Sequence, residues 1–426
     1  MRGKKLLILV LSACMVLGSA ASSWATQAFK IGDADVKFNA SLRLEASYDF
    51  QDRGDVPYGQ TDNTTDFNMR MSPISRAGIW INYGKVTGFV EYGLKADSRT
   101  SSDTYLRHAY GIYDMGGGNS LLVGQTWSIV ALHFPMQRLF KENALYSVGN
   151  LYMHRNQQIR FTHKTDKMIL KVALEDNDNY NDAGYFGLTP ANYLVEESTP
   201  ALDASLTFKP SSNITLTPSG MIQRYKLKAN GFSYDEEDEE YKVGSFAYHD
   251  VNVMTWMAAL DGTIKSDVLT TDFEAWYGQN VGLSAIAFDE RPSTKSISAG
   301  LPVANAYGSD LKDVNSYGGW LQFAVPVNPA TVVYLGGGYQ HSQVRNTDKP
   351  DDNIFYKDSV SSWGLFANFK YSLTKHFYIQ PEVSYFNWGD AAQRIHTQPF
   401  SDGSTYYYGN DLGTELYTGV FFQYDL

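Results

Sequence analysis

The sequence predicts an all-β fold, a transmembrane antiparallel β-barrel of sixteen strands. Three observations predict it. Long segments alternate apolar and polar residues, and the connections between them alternate between short and long. No run after the N-terminal segment stays apolar for the ~20 residues that a spanning helix needs.

The N-terminus of this 426-residue chain sets the compartment. Arg2, Lys4 and Lys5 precede the apolar run 6–11, which resumes after Ser12 as Ala13-Cys14-Met15-Val16-Leu17. Ser23-Trp24-Ala25 has the small-x-small form of a leader-peptidase site. Residues 1–25 are therefore predicted to be a cleaved signal peptide, and 26–426 a single barrel domain. Leu11-Ser12-Ala13-Cys14 also has the form of a lipoprotein acylation box, but little apolar sequence precedes it and more follows, so lipidation of Cys14 is the lesser reading. Cys14 is the only cysteine, and a mature chain would hold no disulfide and no thiolate metal site. Losing Arg2, Lys4 and Lys5 takes the formal charge from −11 to −14, which argues against nucleic acid as a partner.

The alternation begins at once. Phe38, Ala40, Leu42, Leu44, Ala46, Tyr48 and Phe50 share one face, and Lys37, Asn39, Ser41, Arg43, Glu45, Ser47 and Asp49 share the other. Sixteen such segments lie near 36–51, 67–83, 86–97, 104–115, 121–130, 158–166, 168–177, 201–210, 214–228, 251–265, 269–281, 316–327, 331–344, 361–373, 377–389 and 413–426. In the ninth, the pattern implies a change of phase after Pro218, as a bulge would produce. In the fourth, the phase puts His108 toward lipid. The last strand places Leu416, Thr418, Val420, Phe422, Tyr424 and Leu426 on one face, like the terminal recognition strand of outer-membrane proteins, though it ends in Leu where Phe is usual.

Short turns are read at 84–85, 116–120, 165–167, 211–213, 266–268, 328–330 and 375–376, and longer polar connections fall between most of them. Short periplasmic turns opposite long outer loops mark an outer-membrane barrel. A barrel of sixteen strands encloses an aqueous channel, so passive passage of small hydrophilic solutes is the expected function.

By strand count, 131–157 is the third long outer connection, expected to fold into the lumen and narrow it. Arg43, Arg70, Arg76, Lys95, Arg107 and Arg160 point inward in this phase, against Glu45, Asp49 and Glu91. The connection adds His133, Arg138, Lys141, His154 and Arg155 against Glu142, which makes the narrowest region net basic and favours anions. Asp272, Glu274 and Glu382, with Glu415, are expected to form an opposite acidic wall. The same charges could equally pair with one another and hold loop to wall.

Leu106-Arg107-His108-Ala109-Tyr110-Gly111, Leu122-Val123-Gly124-Gln125-Thr126-Trp127-Ser128 and Arg155-Asn156-Gln157-Gln158-Ile159-Arg160 resemble the DcaP-like trimeric porins of Gram-negative bacteria. That resemblance covers about sixty residues. It implies a sixteen-stranded homotrimer whose third loop constricts each pore, with a preference for small anionic solutes such as carboxylates. The helical N-terminal extension of the family member best known for carboxylates has no counterpart in the roughly ten residues between Thr26 and the first strand.

Other features carry less. The acidic run 235–240 reads as a solvated outer loop or a divalent-cation site at the lipopolysaccharide surface. The stretch 176–182 begins like a calcium loop but lacks the Gly and the twelfth-position acid of an EF-hand. Gly336-Gly337-Gly338 reads as a place where neighbours need room. No HExxH spacing and no Gly-x-Ser-x-Gly elbow occurs, so neither enzymatic activity, a metal nor a cofactor is expected. The alternatives are a barrel that sheathes an electron-carrying partner across the outer membrane, and an exported carbohydrate-binding β-protein.

Overall fold

The computed structural model describes residues 29–52, 63–98, 101–176, 193–229, 232–235, 240–243, 250–286, 303–304, 311–345, 359–389 and 413–426. Sixteen strands build the wall. They are β1 (Ala34–Asp52), β2 (Asn63–Met71, resuming as Arg76–Tyr83), β3 (Val86–Ser98), β4 (Ser101–Gly116) and β5 (Asn119–Trp127). Next come β6 (Arg155–Lys164), β7 (Met168–Asp176), β8 (Tyr193–Ser198, resuming as Ala201–Ser211), β9 (Ile214–Ala229), β10 (Val251–Lys265) and β11 (Thr270–Gln279). The last five are β12 (Val314–Asn328), β13 (Thr331–Val344), β14 (Ser359–Ser372), β15 (Phe377–Asn387) and β16 (Thr414–Asp425).

Every strand pairs antiparallel with its neighbour in sequence. The ladder closes where β16 meets β1, from Ser41↔Asp425 to Asp52↔Thr414. Closure joins the first and last strands of the wall, as backbone polar groups in hydrocarbon require. A short strand, Phe29–Ile31, folds back on Ala34–Val36 at the short-turn end. Each of the sixteen segments read from the sequence corresponds to one strand of the wall.

The period-two pattern sorts residues as expected. Leu42, Tyr48 and Phe50 are exposed on the outside of β1, while Ser41, Glu45, Ser47 and Asp49 are buried inside. Exposed aromatic residues form two girdles. Tyr83, Tyr113, Phe208, Phe323, Phe369 and Tyr424 lie toward the short-turn end, and Tyr48, Phe67, Tyr277, Tyr317, Tyr339 and Trp363 toward the long-connection end.

Two phase expectations are corrected. Register shifts between Glu91 and Tyr92, which face His108 and Leu106, so Arg107 is the extra residue of a bulge. Two consecutive side chains then turn inward. His108 is buried and its Nδ1 lies 3.0 Å from Thr126 Oγ1, so it does not face lipid. In β9 the ladder to β10 runs unbroken from Ile214 to Leu227, with no bulge at Pro218. Met221, Gln223, Tyr225 and Leu227 all point inward in one phase.

The connection between β5 and β6 is 128–154, because Asn156 and Gln157 already pair with Thr126 and Gln125. It folds into the lumen and packs against β7–β16. Ile129, Val130, Leu151 and Met153 join Ala173, Met221, Met257 and Trp276 in one apolar cluster. Leu139, Leu145 and Val148 join Trp320, Phe366, Phe386 and Tyr417 in another. The short turn Leu139–Glu142 is left-handed from Phe140 to Glu142, and no helix among the described residues is long and apolar enough to cross a membrane. Of the sequence features singled out above, 1–25, 177–182 and 236–239 lie outside the described residues. Asp235 and Glu240 sit on a small hairpin, Phe232–Asp235 with Glu240–Val243.

The glycine run of β13 makes room for this packing. A Cβ on Gly338 would stand 2.4 Å from the Val148 carbonyl oxygen and 3.3 Å from Gly149 Cα. Gly338→Val should therefore lower the unfolding free energy in detergent micelles by about 1–3 kcal/mol. Gly111→Val, where nothing stands within 4 Å of the added Cβ, should leave it nearly unchanged. Equal urea midpoints for both variants would contradict this packing.

Candidate functional site: the loop and the basic wall

A loop inside a barrel carries backbone N–H groups that no ladder satisfies. Here three wall carboxylates accept them. Glu382 of β15, 3% exposed, accepts from the amides of Arg138 (2.8 and 3.0 Å) and Leu139 (2.8 Å). Glu45 of β1, fully buried, accepts from the amides of Phe140 (3.2 Å) and Lys141 (2.9 Å). Glu274 of β11 accepts from the Leu151 amide at 2.9 Å. Wall side chains also donate to loop carbonyls: Asn368 Nδ2 (2.8 Å) and Gln380 Nε2 (2.9 Å) to Met136, Trp276 Nε1 (2.7 Å) to Gly149, and Ser362 Oγ to Ser147.

The backbone bends sharply to aim these amides. Ala131, Phe140, Lys141, Glu142, Ala144, Leu145 and Ser147 all have φ between 50 and 63°. Each non-glycine residue held there costs about 1–2 kcal/mol. Successive amides in such a turn form a concave nest for an anion, so the wall carboxylates offset the strain they require.

The expected acidic wall is thus corrected. Glu274 and Glu382 do face inward, but the loop covers them and they bind its backbone. Asp272 is less covered; its Oδ1 lies 3.4 Å from His133 Nε2 and accepts from Thr263 Oγ1 at 2.7 Å. Glu415 of β16 is buried inside, accepting from Tyr417 Oη at 2.9 Å.

Against β1–β6 the loop leaves space. A cavity of about 320 Å³ is lined by Arg43, Arg76, Arg107, Arg138 and Arg155 against only Glu91 and Glu142 among the charged groups. Phe134, Trp127, Tyr146, Tyr152 and His108 supply aromatic surface. Arg43 Nη1 lies 2.6 Å from Glu142 Oε2, and Glu142 Oε1 accepts from Ser72 Oγ. Glu91 is shared by Arg107 Nε (2.9 Å) and Arg76 Nε (3.4 Å). Arg155 lies over the Trp127 ring, 4.2 Å from its centroid, and pairs with no carboxylate among the described residues. Arg138 likewise has no ion pair there, its guanidinium donating to Met136 Sδ at 2.8 Å.

The remaining predicted site residues fall elsewhere. Arg70 is inward but tied to Glu45 at 2.9 Å, away from the cavity. Arg160 of β6 shares the ladder level of the buried Ala173 and Leu122 and does not line the cavity. The side chain of Lys95 lies outside the described residues. Sequence reasoning missed the anchoring role of Glu45 and Glu382 and the aromatic lining; the cluster Trp127, Phe134, Tyr146 and Tyr152 was visible only as composition.

The sequence matches no protein-family model and no curated protein. The fold does match solved structures. The outer membrane channel DcaP of Acinetobacter baumannii superposes with a TM-score of 0.61 at 20% identity, over 94% of this chain and all of that one. OmpT, an outer membrane protein of Vibrio cholerae, gives 0.55 at 12% identity, over 94% and 100%. An anion-selective porin from Comamonas acidovorans gives 0.54 at 9% identity, over 92% and 100%. The chain therefore has the sixteen-stranded porin barrel.

Two outcomes follow from the anchoring. Glu382→Ala strips the Arg138 and Leu139 amides of their acceptor and should lower stability by about 2–4 kcal/mol, read as the urea midpoint in micelles. His154 is in the loop, where burial and then the Arg155 charge hold its imidazole down to about 4. The unfolded chain binds a proton near 6.5 that the folded chain refuses, so stability is complete above that pH and falls between about 6.5 and 4. His154→Gln should lose less stability than the parent on going from pH 7 to pH 4.5; equal losses would contradict the buried neutral imidazole.

Proposed function

We propose that the chain is an outer-membrane porin, a passive water-filled channel for small hydrophilic solutes that prefers anions such as small carboxylates. The observation that carries this reading is the loop-lined cavity with five arginines against two glutamates. Fixed guanidinium groups along a narrow passage select anions, and their planar forks suit carboxylates. Arg155 makes no ion pair among the described residues, and Arg138 meets Glu142 and Glu382 only beyond ion-pair distance, so arginines outnumber carboxylates at the cavity. The walls there are low in dielectric, so a through-going cation meets a higher barrier than it would in open water.

The mature chain would follow cleavage after Ala25, reside in the outer membrane among lipid and lipopolysaccharide, and assemble as a homotrimer. OmpT of Vibrio cholerae has a trimer form with a TM-score of 0.53 to this chain, which supports that assembly. Passage needs no catalytic group, cofactor or bound metal. The sheath alternative is disfavoured because the chain's own loop fills the lumen along β7–β16, where a protein partner would have to sit. The carbohydrate-binding alternative leaves the exposed apolar belt unexplained.

Planar-bilayer recording tests the proposal. Stepwise conductance is expected, with a reversal potential of anion-selective sign in a KCl gradient. Arg155→Glu and Arg76→Glu should each move that potential toward cations. A silent bilayer would sink the channel; a cation-selective parent would sink the anion preference.

A further inference from the structure

We infer that the lumen face of β6–β8, on the short-turn side of the loop, is a second binding site, for small solutes that carry two negative charges. This rests on reading the chain as a porin and gives the pore a stop on its exit side, separate from the arginine cavity. Leu174 of β7 is exposed on the outside and Ala173 is buried inside, so Lys171 and Ile169 also face in. Arg160, Thr162 and Lys164 of β6 pair with Ala173, Lys171 and Ile169 and share that face. On β8, Ser205 pairs with Lys171 and Thr207 with Ile169, and Lys209 follows in the same phase. Four inward cations result: Arg160, Lys171, Lys164 and Lys209.

Register sets their spacing. Arg160 is level with Ala173, Lys171 with Thr162, and Lys164 with Ile169. The Lys209 amide donates to the Lys167 carbonyl oxygen at 2.8 Å, which puts Lys209 one step further along. Each cation therefore lies two residues, about 7 Å, beyond the last. At that spacing the flexible ends of two successive side chains can meet on one anion. A monoanion neutralises one of them, and a dianion neutralises both.

The protein itself leaves the row uncompensated. None of the four makes an ion pair or a side-chain hydrogen bond among the described residues, and Arg160 Nε is buried without a partner. Glu175 attracts Arg160 only at longer range. Glu175 and Asp203 are already engaged by Asn156 Nδ2 (3.2 Å) and Ser128 Oγ (2.9 Å). Beyond Arg160 toward the short turns, the inward strand positions of β6–β9 carry no carboxylate. Arg160 and Lys171 stand diagonally across one ladder and repel each other, a cost that a bound anion offsets. Thr162 and Ser205, on the same face, add hydroxyl donors. The Ala131 amide donates to Ser219 Oγ at 3.3 Å, level with Lys171, so Lys164 and Lys209 lie past the loop. There they line an open cavity of about 370 Å³ with Asp166 of the turn, which pairs with neither lysine.

The test reads lysine reactivity on the purified barrel in detergent micelles. Amines are acetylated with an N-hydroxysuccinimide ester in sodium sulfate or in sodium chloride of equal ionic strength, and rates are read by peptide mass spectrometry. Sulfate should slow Lys164, Lys171 and Lys209 at least about threefold, as mass-action occupancy implies. Lys85 and Lys375, on other turns, should react equally in both salts. Arg160→Gln should lose most of the protection at Lys171. Sodium succinate in place of sulfate separates a dicarboxylate from a tetrahedral oxyanion, and protection by either supports the site. Unchanged rates with both anions, or equal slowing at Lys85 and Lys375, would overturn it. Conductance in phosphatidylcholine bilayers separates the two readings. Protected lysines in a barrel that passes no current keep this site and lose the channel; a conducting barrel without protection does the reverse.

Discussion

Everything inside the barrel depends on where the backbone amides of the third long connection find acceptors. Buried N–H groups left unpaired cost about 1–3 kcal/mol each. The wall answers with Glu45, Glu274 and Glu382, three carboxylates that would themselves be costly to bury without donors. Loop and wall satisfy one another, and neither arrangement would hold alone. The left-handed turn at Phe140, Lys141 and Glu142 is the local consequence, because only that curvature aims the Phe140 and Lys141 amides at Glu45.

That mutual satisfaction also makes the lumen lopsided. The loop adheres to β7–β16 through two apolar clusters and the glycine-lined contact of Val148 with Gly338. Glu274 and Glu382 on that side are consumed as anchors. The space that remains runs along β1–β6, where the arginines are. A charge count over the whole chain, −11, would suggest the opposite character. What a solute meets is set by which carboxylates are already occupied.

Much of this was legible in the residues. The alternation of Phe38 to Phe50 against Lys37 to Asp49 defined β1, and the same pattern placed all sixteen strands. The need for room at Gly336-Gly337-Gly338 was also readable, although not that Val148 would fill it. His108 was misplaced because a bulge is a property of two strands: nothing in β4 alone says that Arg107 will be unpaired against β3. Pro218 misled in the other direction: the ladder to β10 runs on through it, while on the β8 side the pairing skips from Ser205↔Ser219 to Phe208↔Leu216. The cost of the missing N–H falls on one neighbour without a change of phase. The anchoring carboxylates were inaccessible to sequence pattern for a simpler reason. Glu45 and Glu382 meet amides 95 and 244 residues away, and no periodicity links such partners.

The adhesion of the loop to the far wall can be measured with one cross-link. A Cβ built on Gly364 of β14 stands 3.2 Å from Val148 Cγ2, the position a sulfur would take in Val148→Cys. Cys14 is the only native cysteine, so the pair Val148→Cys and Gly364→Cys introduces an otherwise isolated thiol pair in the barrel. Mild oxidation should close the disulfide nearly completely, seen as loss of both free thiols by mass, and leave single-channel conductance as it was before oxidation. Thiols that stay free, or a bond that closes only with a large change in conductance, would show that the loop does not rest on that wall.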